Sequence, residues 1–467
     1  MGKQDRKKLA AKKTVQKKPA AKPSLPRKTP VRTAAGTLTN KNPFNLSEFC
    51  QDVMAQANVS LVPCRKLKLI TGCSGSGGPT LVLRAILGDN AVDEEMSCEK
   101  DEAASYALFR NVRPKHVFNY MSQCLRDKAP CKVHQQQCKV PLQPDLFVVG
   151  FTCKANSRQN PRRFSQDPTS SHHYAVFEET CSLILHQQPR YFVLENVDGV
   201  RCKRGGESEQ AFTPVLETIM TRLSQMTDYT CEHISVSSIV LPTPRDRVFF
   251  IGSREDGAGV IVEEIRSLVN VANSMPKHHL EAFLGDGSSV SAAAGDPASI
   301  PTSGTLADEA QYAKHLSAAF AKATSRKRID DAPLAPPPER ESAKYASHCS
   351  PWLRAQLDVY EAIVNKLRLE RPHPNNHGIA DTSQNTDRGG ARVDGCIPTV
   401  CTSTSLYSFK RHAFLSPEEV HSMHGFHGYN FQGLSKMQAF NLIGNGMVST
   451  SVALVLLPVL RHLGFTK

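Results

Sequence analysis

The chain has 467 residues, of which 40% are hydrophobic, enough for one large domain or two to three ordinary ones. It has no apolar run of about 18 residues and no apolar segment behind its charged start, so we expect neither a transmembrane helix nor a secretory signal. The formal charge of +13 is concentrated, because residues 1–33 hold twelve Lys or Arg and a single acid, Asp5. The remainder of the chain is therefore nearly neutral.

The basic residues form an N-terminal tail. Residues 1–45 are rich in Lys, Ala, Pro and Thr and poor in large apolar side chains, a composition typical of disorder. Lysine pairs at 7–8, 12–13 and 17–18 suit the neutralisation of phosphates or nuclear import. We expect a nuclear protein, with a merely solubilising tail or an organelle transit peptide as the alternatives.

The predicted elements then alternate between helix and strand. A short helix is predicted at 45–57, with Ser47 as its cap. Strands are predicted at 66–70, 146–149, 191–194, 234–240 and 248–251, and helices at 81–87 behind Pro79, 103–111, 174–186 and 214–226. This alternation is typical of an α/β fold, with a mostly parallel sheet and helices on both faces.

The pattern changes after about residue 253. Residues 285–305 are rich in Gly, Ser, Ala and Pro and predict a flexible linker. Two helical segments follow at 306–326 and 341–369, the second broken at Pro351 with Ser350 as a cap. Residues 371–407 show little periodicity and predict irregular structure.

Regular structure returns at Arg411. Ser416 is followed by Pro-Glu-Glu, the pattern of a capped helix start. An apolar helix is predicted at 452–463, close to the end of the sequence.

The turn between the first predicted strand and its helix is rich in glycine, and Gly75, Gly77 and Gly78 are the three nearest to the helix. Glycines in such a turn let the backbone approach a ligand, and the helix start favours negative charge. Glu99, near the end of the next strand, is placed to accept hydrogen bonds from ribose hydroxyls. A tight turn without a ligand and a surface acid are the alternatives.

A cysteine and a glutamate follow two of the predicted strands. Cys153 comes three residues after Gly150, among polar neighbours. Parallel sheets bind ligands at the carboxyl ends of their strands, and a nearby Lys154 favours the thiolate, so Cys153 is a candidate nucleophile. Glu195 directly follows the strand at 191–194, where it could donate a proton to a ring nitrogen or pair with a neighbouring base.

Two arginines precede the last strand of this region at alternating positions. Arg245 and Arg247 could face one cleft and bind a carboxylate or a phosphate. A solvated turn is the alternative.

The 14 cysteines are scattered over the whole chain, so we expect reduced thiols rather than a disulfide framework. One group contains residue types that bind metals, namely Cys124, Cys131, His134 and Cys138. Its spacing matches no common zinc signature, so we predict a polar loop with incidental cysteines and no metal.

In chain order, four segments resemble the motifs of the cytosine-specific DNA methyltransferases that modify carbon 5. They are Gly150-Phe-Thr-Cys153 with Ser157, Leu194-Glu-Asn-Val197, Pro244-Arg-Asp-Arg-Val248 and Gly444-Asn-Gly-Met-Val448. The resemblance covers about residues 66–255 and 395–467. It implies a Rossmann-like, S-adenosylmethionine-dependent methyltransferase fold with a smaller irregular target-recognition region. The implied divisions are a basic tail at 1–45, a catalytic core at 46–255, target recognition at 256–407 and a C-terminal return to the core at 408–467.

The resemblance also implies roles for individual residues. Cys153 would attack carbon 6 of a cytosine flipped out of double-stranded DNA, Glu195 would donate to the ring nitrogen, and Arg247, with Arg245 beside it, would hold the base or position Cys153. S-adenosylmethionine would be held by Cys73, Gly75, Gly77, Gly78, Glu99, Tyr120, Asn445 and Val448. DNA would be contacted by Ser157, Asn196, Thr399, Thr402 and Ser403, with the basic tail on the phosphate backbone. The corresponding location is the nucleus or a DNA-containing organelle.

The chain also departs from the family pattern at several positions. Thr152 and Lys154 stand where the family has Pro and Gln around the nucleophile. Thr71 and Cys73 replace the usual acid and aromatic of the first motif, and Tyr120 and Thr243 replace an acid and a Gln. The alternatives to a DNA methyltransferase are a catalytically weakened nucleic-acid-binding relative, a transfer-RNA cytosine methyltransferase and a nucleotide-binding oxidoreductase.

Overall fold

A computed structural model describes residues 44–151, 172–202, 215–255, 257–285, 306–329, 349–374 and 376–465. The first described helix is α1 (Leu46–Gln56), which confirms the predicted helix. Its cap is Asn45 rather than Ser47, because the Asn45 side chain accepts the backbone N–H groups of Ser47 and Glu48.

Nine strands of the described residues form the main sheet. They are β1 (Leu67–Gly72), β2 (Val92–Cys98), β3 (Val117–Phe118), β4 (Lys128–Cys131), β5 (Gln136–Lys139), β6 (Leu146–Gly150), β7 (Tyr191–Val197), β8 (Thr230–Val236) and β9 (Arg247–Ser253), in the order β5-β4-β3-β2-β1-β6-β7-β9-β8. The five central strands, from β3 to β7 in that order, are parallel. Strand β9 runs antiparallel to β7 and to β8, and β4 runs antiparallel to β3 and to β5. The predicted α/β fold with a mostly parallel sheet is confirmed, whereas the β4–β5 hairpin was not predicted.

Helices cover both faces of this sheet. They are α2 (Gly78–Leu87), α3 (Glu102–Asn111), α4 (His172–Gln187), α5 (Val215–Ser224) and α6 (Ala258–Asn273), with short 3-10 turns at Asp89–Ala91, Met121–Leu125, Asp198–Arg201 and Leu280–Phe283. Successive strand residues point to opposite faces, so Leu146 and Val148 join one core with α2 and α6 while Phe147 and Val149 join another with α4 and α5. Burial on both faces explains why these strands are continuous apolar runs.

A second, smaller sheet follows α7 (Leu306–Ser325) and α8 (Pro351–Glu370). Its strands are β10 (Ile379–Asp381), β11 (Ala391–Arg392), β12 (Leu406–Ser408) and β13 (Ala413–Phe414), in the antiparallel order β11-β10-β12-β13. The predicted cap is confirmed, because the Ser350 hydroxyl accepts the Leu353 N–H. The prediction of purely irregular structure at 371–407 is wrong, since these short strands pack with the two helices around Tyr360.

Three helices complete the described chain: α9 (Pro417–Met423), α10 (Lys436–Asn445) and α11 (Ser449–His462). The predicted cap at Ser416 forms a full capping box with Glu419. Helix α11 is buried from Ser449 to Leu460 and packs with α2 and α6 on the main sheet. Helix α6 therefore packs in the same core as α2 and α11.

No single helix in the described ranges is long and apolar enough to cross a membrane, although α10 and α11 together reach that length across a 42° bend.

Candidate active site

The site lies where the order of the parallel strands reverses. Strand β1 pairs with β2 on one side and with β6 on the other, so the connections from β1 and β6 leave in opposite directions along the sheet. In open α/β sheets, ligands bind in the crevice outside the carboxyl ends of the strands at this point. The glycine turn follows β1, and the segment leading to Cys153 follows β6.

The glycine turn is tied to Glu99. The Gly75 N–H donates to Oε2 of Glu99 at 2.8 Å, and the other carboxylate oxygen accepts the Asp101 N–H at 2.9 Å. Gly77 has a φ of +76°, and a Cβ there would lie 2.3 Å from Cγ2 of Val112, so this position requires glycine. Burial raises the pKa of Glu99, against the lowering effect of the two backbone donors.

The other predicted cofactor residues near the turn differ in exposure. Cys73 lies in the turn with a φ of +48°, and Gly78 opens α2 against Phe426. Tyr120 follows β3 and is 52% exposed, so its ring is available to a ligand at this end of the sheet.

Strand β6 ends close to Glu195. Gly150 pairs with Glu195 across the β6–β7 ladder, and a Cβ at Gly150 would lie 3.3 Å from Oε2 of Glu195 and 2.9 Å from Cε of Met447. Glycine therefore allows the three elements to meet. Cys153 and Ser157 lie outside the described residues, which end here at Phe151.

Glu195 is paired with Arg247. Nε of Arg247 lies 2.5 Å from Oε1 of Glu195, and both side chains are about 10% exposed. The contact is ionic rather than a well-aligned hydrogen bond, because this Nε has no acceptor in hydrogen-bonding geometry. The pair joins the end of β7 to the start of β9, and it brings together two of the residues singled out from the sequence.

Arg245 does not share this position. Its Nη1 donates to the Val400 carbonyl at 3.0 Å, and its Nη2 donates to the carbonyls of Gly444 and Gly446 at 2.7 and 2.6 Å. The prediction that both arginines face one cleft is wrong, because β9 begins at Arg247 and alternation does not extend back to Arg245. Arg245 is a positioning residue that joins the segment around Val400 to the Gly444 turn.

Asn196 also differs from its predicted role in DNA contact. It is completely buried, because β7 continues to Val197 and Asn196 pairs with Val248 inside the sheet. Its Nδ2 donates to the Phe151 carbonyl at 3.3 Å. Asn196 thus fixes the backbone two residues before Cys153, out of reach of solvent.

The predicted DNA-contacting threonines lie on a surface segment packed against the Gly444 turn. Thr399 and Ser403 are exposed, and Thr402 is half-buried. A Cβ at Gly444 would lie 2.5 Å from the Thr402 backbone nitrogen, so the two segments are in direct backbone contact.

The remaining two cofactor candidates lie in the same turn. Asn445 is exposed and donates through Nδ2 to Oδ1 of Asn441 at 2.9 Å. Val448 is buried in the main core and caps α11, which does not support direct contact with a cofactor.

Sequence reasoning missed two contacts that close this site. The Tyr429 hydroxyl donates to the Ser76 carbonyl at 3.1 Å, which ties the C-terminal region to the glycine turn. Met447 packs against Gly150 at the end of β6. The Gly-x-Gly spacing of Gly444 and Gly446 was the available signal that a second backbone approaches here.

The sheet order defines an α/β fold with a crevice at its switch point, where proteins of this fold bind ligands. The C-5 cytosine-specific DNA methylase family matches residues 67–456, and the chain belongs to that family.

Similar proteins include bacterial and phage methyltransferases. The type II methyltransferase M.DsaV of Dactylococcopsis salina is 28% identical over 111 residues, 24% of this chain and 29% of that protein. The orphan methyltransferase M.Rho11sI of Bacillus phage rho11s is 24% identical over 191 residues, 41% of this chain and 34% of that protein. The chain thus spans about a third of the length of the curated relatives it matches. Among solved structures, S. pombe Dnmt2 methyltransferase is 12% identical with a TM-score of 0.43, over 85% of this chain and 99% of that one.

Proposed function

We propose that this protein transfers a methyl group from S-adenosylmethionine to carbon 5 of cytosine in double-stranded DNA, through a covalent adduct on Cys153. The observation that carries the proposal is the Glu195–Arg247 pair beside Gly150, three residues before Cys153. Membership of the C-5 cytosine-specific DNA methylase family supports the same chemistry.

The glycine turn and Glu99 fit S-adenosylmethionine. The side of Gly75 on which a Cβ would stand is open, with no atom nearer than the Cys73 carbonyl at 3.9 Å. The Glu99 carboxylate keeps lone pairs for ribose hydroxyls beyond the two backbone donors it accepts, and the exposed Tyr120 ring can stack on an adenine. When bound, S-adenosylmethionine supplies an electrophilic methyl group.

The protein's own groups act on the flipped base. The Cys153 thiolate forms a bond to carbon 6, which moves a ring electron pair toward carbon 5. Glu195, oriented by Arg247, donates a proton to ring nitrogen 3 and so offsets the developing negative charge. After carbon 5 has gained the methyl group, its own proton passes to a base and the ring double bond re-forms. The proton on nitrogen 3 returns to Glu195, and the bond between carbon 6 and sulfur breaks to return the thiolate.

A cleft beside Thr399 is a suitable surface for the target strand. Its volume is about 680 Å³, and its lining includes Arg371, Arg388 and Arg392 as well as Asp381 and Asp394. Arginines suit contact with DNA phosphates. The neighbouring acids favour discrimination between DNA sequences over general affinity for DNA.

The test of the nucleophile is methyl transfer from labelled S-adenosylmethionine to cytosine-containing DNA, with mapping of the methylated positions. We expect wild type to label DNA and Cys153→Ala to give no labelling above background. Cys64→Ala is the matched control, because Cys64 is an exposed cysteine before the start of β1, whereas the site lies at the carboxyl ends of the strands. Labelling that persists in Cys153→Ala would contradict the assignment.

Two alternatives are separated by further measurements. A catalytically weakened relative that binds nucleic acid without the cofactor would show no heat of binding with millimolar S-adenosylmethionine in calorimetry. A transfer-RNA cytosine methyltransferase would label transfer RNA and not DNA when both are offered under identical conditions.

We also propose a nuclear location, because the lysine pairs of the tail suit nuclear import. Imaging of the chain with and without residues 1–40 tests it. Accumulation in a DNA-containing organelle would contradict it.

A further inference from the structure

The unexpected β4–β5 hairpin brings four metal-binding side chains together. Cys131 ends β4, Cys138 lies in β5, and His134 lies in the turn between them. Cys131 pairs with Gln136, and Ala129 pairs with Cys138, so the two cysteines lie on the same face of the hairpin as diagonal neighbours. The fourth residue, His116, directly precedes β3, the strand on which the hairpin is built.

Three of the separations between ligand atoms match those of a tetrahedral zinc centre. Nδ1 of His134 lies 3.4 Å from Sγ of Cys131 and 3.4 Å from Sγ of Cys138, and Nδ1 of His116 lies 3.7 Å from Sγ of Cys131. All four ligand atoms lie within 4.8 Å of one another. Zinc bond lengths in tetrahedral geometry require separations of about 3.3–3.8 Å between ligand atoms.

The backbone around these residues is fixed by other contacts. The His116 carbonyl accepts the Ser97 N–H at 2.9 Å, and the Lys132 N–H donates to the Val117 carbonyl at 2.8 Å. Gln135 has a φ of +54°, which turns the chain sharply after His134. The ligands therefore come from a tight turn and an adjacent strand that are already held in place.

We propose that His116, Cys131, His134 and Cys138 bind a structural zinc ion. Two thiolates and two imidazoles in a closed tetrahedral set are the donors that zinc takes in structural sites, whereas magnesium and calcium prefer oxygen. Cys124, which the sequence placed in this group, is not a ligand, because its sulfur lies 3.5 Å from Sγ of Cys98 instead.

The zinc would hold the hairpin beside the cofactor end of the sheet. Nζ of Lys132, within the hairpin turn, donates to the Glu99 carbonyl at 2.9 Å and to Oγ of Ser105 at 2.7 Å. Tyr120 follows β3, whose Phe118 pairs with Cys131. Strands β4 and β5 have only four residues each, and β5 is the edge of the sheet, so the zinc would join β5 directly to His116 beside β3, in addition to the pairing of β5 with β4.

The experiment is metal analysis of the full chain, purified under reducing conditions and exchanged into metal-free buffer. We expect about one zinc ion per chain, and cobalt(II) replacement to give the charge-transfer absorption of thiolate ligands. His134→Gln and Cys138→Ser should each lower the bound zinc at least tenfold under competition with a chelator. The exposed position of His134 in a turn makes His134→Gln the variant that keeps its fold, which circular dichroism checks.

Cys124→Ser is the matched control, because it removes a nearby buried thiol that lies outside the ligand set. It should retain wild-type zinc. Three results would overturn the proposal: no zinc uptake by the reduced wild-type chain when zinc chloride is added, unchanged zinc in both ligand variants, or zinc loss in Cys124→Ser alone. None of these readouts depends on methyl transfer, so the zinc site and the proposed activity can fail separately.

Discussion

The two oxygens of the Glu195 carboxylate face different partners. One contacts Arg247, and the other faces the end of β6. Glu195→Gln keeps the size of the side chain but removes its carboxyl proton. We expect the rate of methyl transfer to fall by roughly 10²–10⁴-fold, the usual contribution of a positioned general acid, with little change in DNA affinity. Single-turnover kinetics with labelled cofactor, beside a DNA-binding titration, measure both.

The control for that variant is Glu232→Gln, an exposed glutamate on β8, which β9 separates from β7. It should behave as wild type. A wild-type rate in Glu195→Gln would refute the role of Glu195 as the proton donor, and an equal loss in both variants would mean that the effect is not specific to the site.

A second buried carboxyl lies beneath the glycine turn. Glu94 is 3% exposed, and its Oε1 accepts the hydroxyls of Thr71 at 2.9 Å and Ser97 at 2.5 Å. Thr71 stands where the family motif has an acid, so the neighbouring strand β2 supplies a carboxyl to the same place. This arrangement explains how the turn keeps an acid although the sequence departs from the motif.

The buried Glu94 predicts a specific pH dependence of stability. Burial raises its pKa above the ordinary value of 4.5, so the folded chain binds this proton more tightly than the unfolded chain. The resulting stabilisation is fully present below the unfolded pKa and is lost as the pH rises through the folded pKa. Glu94→Gln stays neutral, so wild type should lose stability relative to this variant as the pH rises above the ordinary value of 4.5 and through the raised pKa of the folded chain.

Thermal unfolding midpoints of wild type and Glu94→Gln across this range test the prediction. Parallel curves would contradict it, because they would mean that Glu94 titrates equally in the folded and unfolded chains. A wild-type curve that rises relative to the variant would give the opposite sign and would indicate a lowered pKa.

Among the elements, the Gly444 turn and the segment around Val400 depend on one buried arginine. Arg245→Met keeps the length of the side chain but leaves the carbonyls of Val400, Gly444 and Gly446 without their donors. We expect the free energy of unfolding to fall by about 2–4 kcal/mol, as when charged hydrogen bonds to buried groups are removed. Denaturant unfolding gives the value.

Arg254→Met is the comparison for Arg245→Met, because Arg254 is exposed and its Nη1 makes a single contact with the Gln188 carbonyl at 3.2 Å. It should cost less than about 0.5 kcal/mol, as most surface substitutions do. An equally small cost for Arg245→Met would show that these carbonyl contacts do not hold the turn.

The elements that the sequence predicts well are those buried on both faces. The strand at 146–149 is a continuous apolar run because its residues reach two cores, and such a run is recognisable without a structure. The β4–β5 hairpin has alternating burial, four-residue strands and Pro130 within β4, so neither length nor composition marks it. Of the four proposed zinc ligands, the sequence had already singled out Cys131, His134 and Cys138, whereas His116 was hidden because β3 and a 3-10 turn separate it from Cys131.

The candidate site residues likewise divide into those that the sequence identifies correctly and those that it does not. Glu195 and the glycine turn were identified because strand ends in a parallel sheet converge at one edge. The sequence assigned Arg245 and Asn196 to contact with the substrate, although both side chains are buried. Alternation of side chains does not predict their direction here, because β9 begins only after Arg245 and β7 continues past Asn196. Only the register of β7 with β9 separates Arg247, which meets Glu195, from Arg245.

At the scale of the whole molecule, the positive charge is concentrated at the start of the chain, and the described core follows it. Residues 1–33 carry twelve Lys or Arg, whereas the described core begins at Phe44 and belongs to a nearly neutral remainder. The family match begins later still, at residue 67. General attraction to DNA is therefore expected to come from the tail, and base chemistry from the core.

Deletion of residues 1–40 tests this division. We expect the fold and the rate of methyl transfer at saturating DNA to persist, while DNA affinity falls and depends less steeply on salt. Each phosphate that the shortened chain no longer neutralises should lower the slope of log affinity against log salt by about 0.9. A tail of equal length with its lysines and arginines changed to Gln should reproduce the deletion, since charge and not length carries the effect. Binding measured between about 50 and 200 mM salt gives the slopes, and an unchanged slope in either variant would show that the core supplies the phosphate contacts.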